Sequence, residues 1–598
     1  TKLDFTGKPI TTITHHKRTS ATADAVMTTT ENFTYDAQDR VVSHGHNING
    51  VTNQTLSDNT YDELGHLITK RLGIYRPTTS SPIQPMQTVD YKYNIRGWLT
   101  DINNVNALGS DLFAFRISYN NVDNSDDPLA SSLYNGNISE TYWRTSTDNI
   151  LRKYTYRYDN INRLSSAYYR KPGTVVEHAG SYNENITYDS RGNIRKLVRT
   201  GGLDDLTNAV EIDRLLYTYK ADSNQLEKVN DESNSPQGFK DVQTSSNIEY
   251  TYDSLGNMIT DLNKGIAQIK YNHLNLPTEI TYTGSTNKIT YLYNASGKKV
   301  QKTVKEGSAT VVVDYLEGFQ YKGGVLQFFP HAEGYVDYTP AAGIFGVENY
   351  NYVFQYKDHL GNVRASFGTN GKILNPSIKI LEENHYYPFG LKHTNYNMDY
   401  LQYQEIEGGI VLYPPISTTG KLPNNYKYNG KELQDELGLN MYDYGARNYD
   451  PTLGRWMNID PKAETSRRFS PYTYALNNPI YFIDPDGMEA EECETCNQLL
   501  GFAAAVIDNG TGGFLNVREG ASRLATNART FNRGQDAGDI ASIVIGGAEF
   551  GSGSSAMGTG AAITVGSGGV LVEIGAPVAI GGALIAGHGL LMLSLIHI

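Results

Sequence analysis

Cysteine is almost missing: the 598 residues hold two, Cys493 and Cys496, in a single CxxC pair. Disulfides therefore do not hold together the chain before Cys493. A lone CxxC lacks the further ligands that a tetrahedral zinc site needs, so no metal site and no cofactor is expected. An incidental pair or a local disulfide is the plain reading of these two, with redox or metal chemistry as the other. Tryptophan is scarce, at 3, and charged residues make up only 19%. The net charge of −13, with no long basic run to offset it, excludes the basic surface that a nucleic-acid-binding body requires. The Ala, Leu, Glu and Lys richness of helical bundles is also missing. The chain opens at Thr1 with neither Met nor signal peptide and closes in an apolar run, so both ends look cut.

Tyrosine and glycine are abundant, at 44 and 58 against 18 Phe. Tyrosine suits a half-buried strand, with its ring inward and its hydroxyl at the wet edge, and glycine suits tight turns. At this length one ordinary core does not suffice, which favours repeats. One pattern recurs from Thr1 to about Asn425: Tyr-x-Tyr-Asp, then Gly or Asn, then an aliphatic residue. Clear copies are Tyr61-Asp62 with Gly65, Tyr156-x-Tyr158-Asp159 with Asn162, Tyr188-Asp189 with Gly192, and Tyr250-x-Tyr252-Asp253 with Gly256. Weaker copies begin at Tyr35-Asp36, Tyr91, Tyr217 and Tyr271, and Tyr291-x-Tyr293-Asn294 with Gly297 closes the series.

Residues i and i+2 of a strand face the same side, so both tyrosines of a unit line one face. The Asp carboxylate accepts backbone N–H groups just ahead of it, and Gly takes the positive φ of a hairpin with a bulge. The aliphatic residue begins the return strand. One hairpin is marginal alone, so successive units must pair edge to edge.

These units resemble the YD repeats of bacterial RHS proteins. Tyr356–Arg364 (YKDHLGNVR) and His385–Gly390 (HYYPFG) are similar to the motifs that lead into that family's core-associated region. Tyr428–Met488, dense in Tyr, Gly, Pro, Asn and Asp, resembles the RHS repeat-associated core domain itself. The resemblance covers roughly residues 30 to 490. It implies a mainly β fold: irregular hairpins in a long sheet that spirals into a hollow shell, a loop-rich plug, and a Gly/Ala-rich apolar C-terminal segment. Many tyrosines would then face a cavity instead of a dry core. The implied divisions are a repeat shell over 1–425, the core-associated plug over 426–488, a linker over 489–536 and a pre-toxin or membrane-active segment over 537–598.

In that family the core domain seals the shell and cuts its own backbone. Carried over residue by residue, the implied catalytic set is Arg447, Asp460 and Asp484, with Asp486 beside the last, and the implied scissile bond is Met488–Glu489. Met488 stands where Leu is commoner. The residue types suit the chemistry: one ionised Asp activates water, a second, protonated one serves the carbonyl or the leaving amine, and Arg447 orients them. Close carboxylates split their pKa values. Asp-Pro and Asp-x-Gly are equally ordinary turn sequences. Lys431–Leu439 suggests a short turn of helix ending near Gly438.

Beyond the plug, Ile574–Ile596 carries no Asp, Glu, Lys or Arg and is long enough to span a bilayer, although Pro577 and frequent Gly weaken a single helix. Residues 537–598 are thus either a spacer or a membrane contact. The closing Leu593–Ile598 resembles translated adapter sequence and carries no reading. No nuclease, deaminase or protease signature follows the plug. The expected protein is the shell of a secreted or surface-delivered bacterial toxin. Its expected partners are its own C-terminal effector, an immunity protein and secretion-system components. The competing readings are a cell-surface adhesion or carbohydrate-binding repeat protein, whose tyrosines would point outward, and an orphan remnant with no active effector.

Overall fold

Each YD unit closes a hairpin through its acid. Asp62 Oδ1 accepts the N–H of Leu64 at 2.9 Å and of His66 at 2.8 Å, and Asp189 and Asp253 hold Arg191/Asn193 and Leu255/Asn257 in the same way. Asn94, Asn272 and Asn294 do so where Asn replaces Asp. The glycine has positive φ, +90° at Gly65 and +85° at Gly192, and Asn162 takes that place in its unit at +67°. A bulge follows: the register shifts at Tyr61, Tyr188 and Tyr252, which pair with Leu67, Ile194 and Met258. The extra residue is what a right-handed twisted hairpin of this length requires.

These hairpins are seen in a computed structural model. It describes residues 1–490 apart from 20–25, 76–81, 123–129, 178–179, 202–208, 234, 243–247, 341–348, 370–377, 395–402, 407–408 and 413–421. The strands Tyr403–Ile406, Gly409–Leu412, Ala562–Gly566 and Gly569–Glu573 are described as backbone alone. The expectations for Cys493, Cys496 and the segments from 491 onward otherwise lie outside the described residues. The chain divides into two units, Thr14–Ala490 and Thr1–Ile13 with Glu491–Ile598. The repeats and the plug belong to Thr14–Ala490.

The fold is mainly β, as expected, and every ladder is antiparallel. The repeats fill two sheets instead of one. Strands from Met27–Tyr35 to Leu226–Asp231 form the first, with each strand beside the next in the chain. The second has 13 strands in chain order, from Tyr250–Tyr252 to Ile378–Glu383. Between the last strand of the first sheet and the first of the second lies Pro236, which has no N–H to give a ladder. Neither sheet closes into a barrel.

The second tyrosine of each unit does more than fill space. In most units its hydroxyl donates to the carbonyl at the start of the return strand in the unit before, whereas that of Tyr252 accepts the Leu226 N–H at 3.2 Å. Tyr158 donates to Ile138 at 2.7 Å, Tyr188 to Leu164 at 2.6 Å, Tyr219 to Ile194 at 2.8 Å and Tyr293 to Pro277 at 2.9 Å. The first tyrosines, such as Tyr156, Tyr217, Tyr250 and Tyr291, are buried in the main core cluster. The expected cavity-facing tyrosines are therefore corrected for these residues. Three of these hydroxyls are met inside the protein, Tyr156 by Thr141, Tyr217 by the Leu453 carbonyl and Tyr250 by Asn263, so their rings can sit in a dry core.

The plug is also more regular than its composition suggests. Glu432–Gln434, Met441–Asp443, Asn448–Asp450 and Arg455–Trp456 form a four-stranded antiparallel sheet. The expected helical turn over Lys431–Leu439 is replaced by the first of these strands and a 3-10 turn at Glu436–Gly438, with Leu437 at φ +52°. Pairing of Leu433 with Tyr442 outweighs the local helical preference.

The plug is seated on both sheets. Arg199, buried with Glu184 and Asp213, donates to the carbonyls of Thr452 at 2.6 Å and Pro451 at 3.0 Å. Lys264 meets Asp450 at 3.1 Å. Lys299 and Lys302 of the second sheet reach Glu432 at 2.7 and 2.8 Å. Burial works against the charged form of Glu432, but the two ammonium groups outweigh it and hold the carboxyl down at about 2. Other plug residues dock on turn glycines: Asn477 donates to the Gly192 carbonyl and Tyr472 to that of Gly256.

Tyr188→Phe is expected to cost about 1 kcal/mol by removing one hydrogen bond, and Asp189→Ala roughly twice that by stranding two backbone N–H groups. Chemical denaturation of both beside the parent checks the order. A Phe variant as stable as the parent would remove the hydroxyl from the account of the fold.

Candidate functional site

The three residues named by resemblance come together in the plug, each delivered by a different turn. Arg447 ends the hairpin turn Tyr444–Arg447, where the Tyr444 N–H bonds the Arg447 carbonyl at 3.1 Å, and leads into the strand Asn448–Asp450. Asp460 sits after the strand Arg455–Trp456, anchored by its own N–H on the Pro471 carbonyl at 3.0 Å. Asp484 opens the final turn, Asp484–Met488.

One guanidinium serves both acids. Arg447 Nη2 lies 2.8 Å from Asp484 Oδ2 and Nη1 lies 3.2 Å from Asp460 Oδ2. The Arg447–Asp460 contact is an ion pair without hydrogen-bond alignment, whereas that to Asp484 is aligned. The guanidinium carbon stands 4.2 Å from the Trp456 ring centre, so a planar cation is held against an aromatic face. Arg447 and Asp484 are buried, and Asp460 is partly open.

Burial dominates the titration of the site. It pushes Asp484 up to about 6; Arg447 opposes the shift, and the neighbouring Asp486 and Asp460 add to it. Asp460 is raised for the same first reason, against the pull of Arg447. Burial lowers Arg447 even though both acids favour its charge. The hydrogen bonds of Asp484 pull the other way. Its oxygens accept from Gly487 N at 2.7 Å, Met488 N at 3.0 Å and Arg447, a set suited to an ionised carboxylate.

The chain entering the implied scissile bond is held peptide by peptide. Lys431 Nζ donates to the Pro485 carbonyl at 2.5 Å, Ala446 N to the Asp486 carbonyl at 3.0 Å and Arg447 Nε to the Gly487 carbonyl at 2.5 Å. Asp486 also accepts the Met488 N–H at 3.0 Å. Among the described residues no hydrogen bond reaches the Met488 carbonyl or the Glu489 N–H; Glu489 is met only at its carboxylate, by Lys462 at 3.1 Å. Among the described residues the hold thus runs from the Pro485 carbonyl to the Met488 N–H. Gly487 permits the close approach. It has φ +80°, and a Cβ there would lie 2.9 Å from the Arg447 nitrogen.

Arg447, Asp460, Asp484, Ser470, Thr473 and Ala490 are among the residues lining a small cavity beside the acids. It offers about 10 Å³ to the centre of a water-sized sphere, room for about one water molecule. No group of three or more His, Cys, Asp or Glu suited to a metal occurs among the described residues. Sequence reasoning missed Lys431 and Trp456. Trp456 follows Gly454-Arg455 in the plug motif, which is a signal of sorts, whereas Lys431 has none beyond its place before the first plug strand.

No family model matches the chain. It is 24% identical over 393 residues to "Toxin subunit YenC1" of Yersinia entomophaga, covering 60% of this chain and 36% of the relative. It is 27% identical over 344 residues to "tRNA3(Ser)-specific nuclease WapA" of Bacillus spizizenii, covering 55% of this chain and 12% of the relative. It is also 26% identical over 254 residues to "Salivary gland surface protein 1" of Aedes aegypti, covering 40% of this chain and 6% of the relative. The crystal structure of TcdB2-TccC3 without its hypervariable C-terminal region matches 81% of this chain and 23% of that one, with TM-score 0.53 and 17% identity. The chain thus spans about a third or less of the length of these proteins.

Fold, repeats and relatives make the chain similar to RHS-type, YD-repeat β proteins. Among these it is similar to Tc toxin subunits over part of their length and shares the fold of TcdB2-TccC3.

Gly487→Ala should force the turn away from Arg447, at a cost of roughly 1–3 kcal/mol, and speed amide exchange at Met488 about tenfold or more. Hydrogen exchange resolved to this segment measures it, and unchanged protection would mean that the close approach is not needed.

Proposed function

We propose that the chain is the shell and plug of an exported bacterial toxin, and that the plug cuts its own backbone once, between Met488 and Glu489. The observation that carries the cleavage is the hold on residues 485–488, which leads into that bond from two acids that share one guanidinium.

Asp460 has oxygen lone pairs to spare at the small cavity, and it is assigned as the base. It takes a proton from water, whose oxygen bonds to the Met488 carbonyl carbon. The bond to Glu489 nitrogen breaks, and Asp484 gives the departing amine its proton. A carboxylic acid ends at Met488 and a free amine begins at Glu489, so one water is consumed and the two acids exchange protonation states. The hydrogen bonds around Asp484 favour its ionised form, so a proton that burial places there is poised to leave. Arg447 holds both acids and the Gly487 carbonyl.

In this reading residues 1–425 form the shell and 426–488 the plug. Residues 489–598 lead towards an effector that the cut frees from the shell. Export, a neutralising immunity protein, contact with secretion machinery and a membrane role for 537–598 belong to the same proposal. Kinship with YenC1 and fold likeness to TcdB2-TccC3 support it. The repeat tyrosines favour it over sugar binding, because the first of each pair is buried and the hydroxyl of the second, half-buried one is committed to backbone.

Intact mass spectrometry of the denatured chain, beside Asp460→Asn and Asp484→Asn, tests the cleavage. The parent is expected to give fragments ending at Met488 and beginning at Glu489, while both variants stay whole. An uncut parent, or variants that cut normally, would overturn it. With Asp484 as the acid, the rate should fall as pH rises through about 6, because the proton it must donate is lost above its pKa. A time course on freshly translated chain shows the sign, and a rate that rises through pH 6 would reverse the assignment of Asp484.

A further inference from the structure

We propose that Lys431 is a positioning residue for this cleavage, setting the register of the chain by gripping the carbonyl of Pro485. The inference rests on the proposed self-cleavage and adds to it a residue that takes no part in the bond-breaking.

Lys431 lies 54 residues before Pro485 and in a different part of the plug. A turn delivers it: Asn429 at φ +48° and Gly430 at φ +66° bend the chain, the Lys431 N–H bonds the Tyr428 carbonyl at 2.9 Å, and the Lys431 carbonyl accepts from Lys427 N at 2.9 Å. Its ammonium then reaches the Pro485 carbonyl at 2.5 Å and passes 5.4 Å from the Tyr444 ring centre. Tyr444 is itself fixed, donating to Asn429 Oδ1 at 2.8 Å. The turn that aims Lys431 and the turn that carries Arg447 are thus tied to each other.

The position of the grip gives Lys431 its role. Proline cannot donate a backbone hydrogen bond, so Pro485 offers only its carbonyl, the oxygen of the Pro485–Asp486 peptide, by which to be held. Lys431 takes that carbonyl, at the residue directly after Asp484. Two residues further on, Arg447 Nε takes the Gly487 carbonyl, with the Ala446 N–H on Asp486 between them. Three donors from two turns therefore hold three successive carbonyls. The first and last are charged, which makes these the strong hydrogen bonds of the set. With Pro485 and Gly487 both fixed, the chain cannot slip by a residue, and the Met488 N–H is kept on Asp484 and Asp486. Nothing requires the ammonium to change protonation state, so its contribution is geometric.

Lys431→Met keeps the length and apolar stem of the side chain and removes the charge, whereas Lys431→Arg keeps a charged donor. Cleavage of the full chain after synthesis is followed by intact mass, from pH 5 to pH 8, for both variants beside the parent and Asp484→Asn. Lys431→Met is expected to cut roughly ten- to a hundredfold more slowly with an unchanged pH profile, and Lys431→Arg to recover most of the rate. In uncut Asp460→Asn chain, adding Lys431→Met should speed amide exchange at Gly487 and Met488 by at least about tenfold.

Parental cutting by Lys431→Met, with Asp484→Asn whole, would overturn the role of Lys431 and leave the aspartate reading standing. Equal slowing in the Met and Arg variants would show a packing role only and overturn it too. If the parent itself is never cut, the cleavage reading falls and the exchange experiment alone judges the grip, with unchanged protection refuting it.

Discussion

The hydrogen bond on which the repeats depend is the one from a tyrosine hydroxyl back to the preceding unit. A hairpin closed by Asp and Gly is complete in itself, but it offers its neighbour only strand edges. The second tyrosine of the YD unit ties its own hairpin to the carbonyl that begins the previous return strand, 24 residues back at Tyr188 and 25 at Tyr219. This bond sits at the half-buried edge of the core, where a made partner fixes the spacing of successive hairpins. It accounts for a composition with 44 Tyr against 18 Phe, since phenylalanine fills the same space without the donor. It also shows how a long chain without disulfides before Cys493 keeps two extended sheets in register.

The turn of the unit was legible in the sequence because its causes are local. Asp, Gly and the following aliphatic residue sit within seven positions, and the carboxylate bonds and the bulge at Tyr61 or Tyr252 follow from that spacing. The tyrosine bond was not legible, because its acceptor is a backbone carbonyl with no residue type to mark it. The plug sheet escaped for another reason. Its strands are two or three residues long, too short for an alternation to register, and Leu437 takes a backbone conformation that its type disfavours. Of the candidate site, Arg447, Asp460 and Asp484 were named through motif resemblance, and their residue types gave only a plausible chemistry. Lys431 and Trp456 act through contacts 54 and 9 positions away, at Pro485 and Arg447, which no spacing rule anticipates.

Seating and chemistry share the same short segments. The strand that follows Arg447 ends at Asp450, which meets Lys264, and the next two carbonyls are held by Arg199. The strand that follows Lys431 begins at Glu432, clamped by Lys299 and Lys302. Both arms that grip the final turn are thus anchored within a few residues, that of Arg447 to both sheets and that of Lys431 to the second. A buried cation shared by two acids is costly unless its geometry is fixed. Here the fixing comes from the sheets beneath, so the arrangement of Arg447, Asp460 and Asp484 is a consequence of the plug being in place.

The final turn is built from the same device as the repeats, with one change. In a YD unit the Asp takes backbone N–H groups with one oxygen and a side chain four residues on with the other: Arg40 on Asp36, His66 on Asp62, Asn193 on Asp189. That second bond closes the turn on itself. At Asp484 the first oxygen again takes backbone N–H groups, those of Gly487 and Met488, but residue four on is Met488, which has no donor to offer. The second oxygen goes to Arg447, 37 residues away. The turn is therefore closed by the plug instead of by its own return strand. The carboxylate is thereby placed against a cation that a second acid, Asp460, shares, so that closing the turn and assembling the candidate site are one and the same contact.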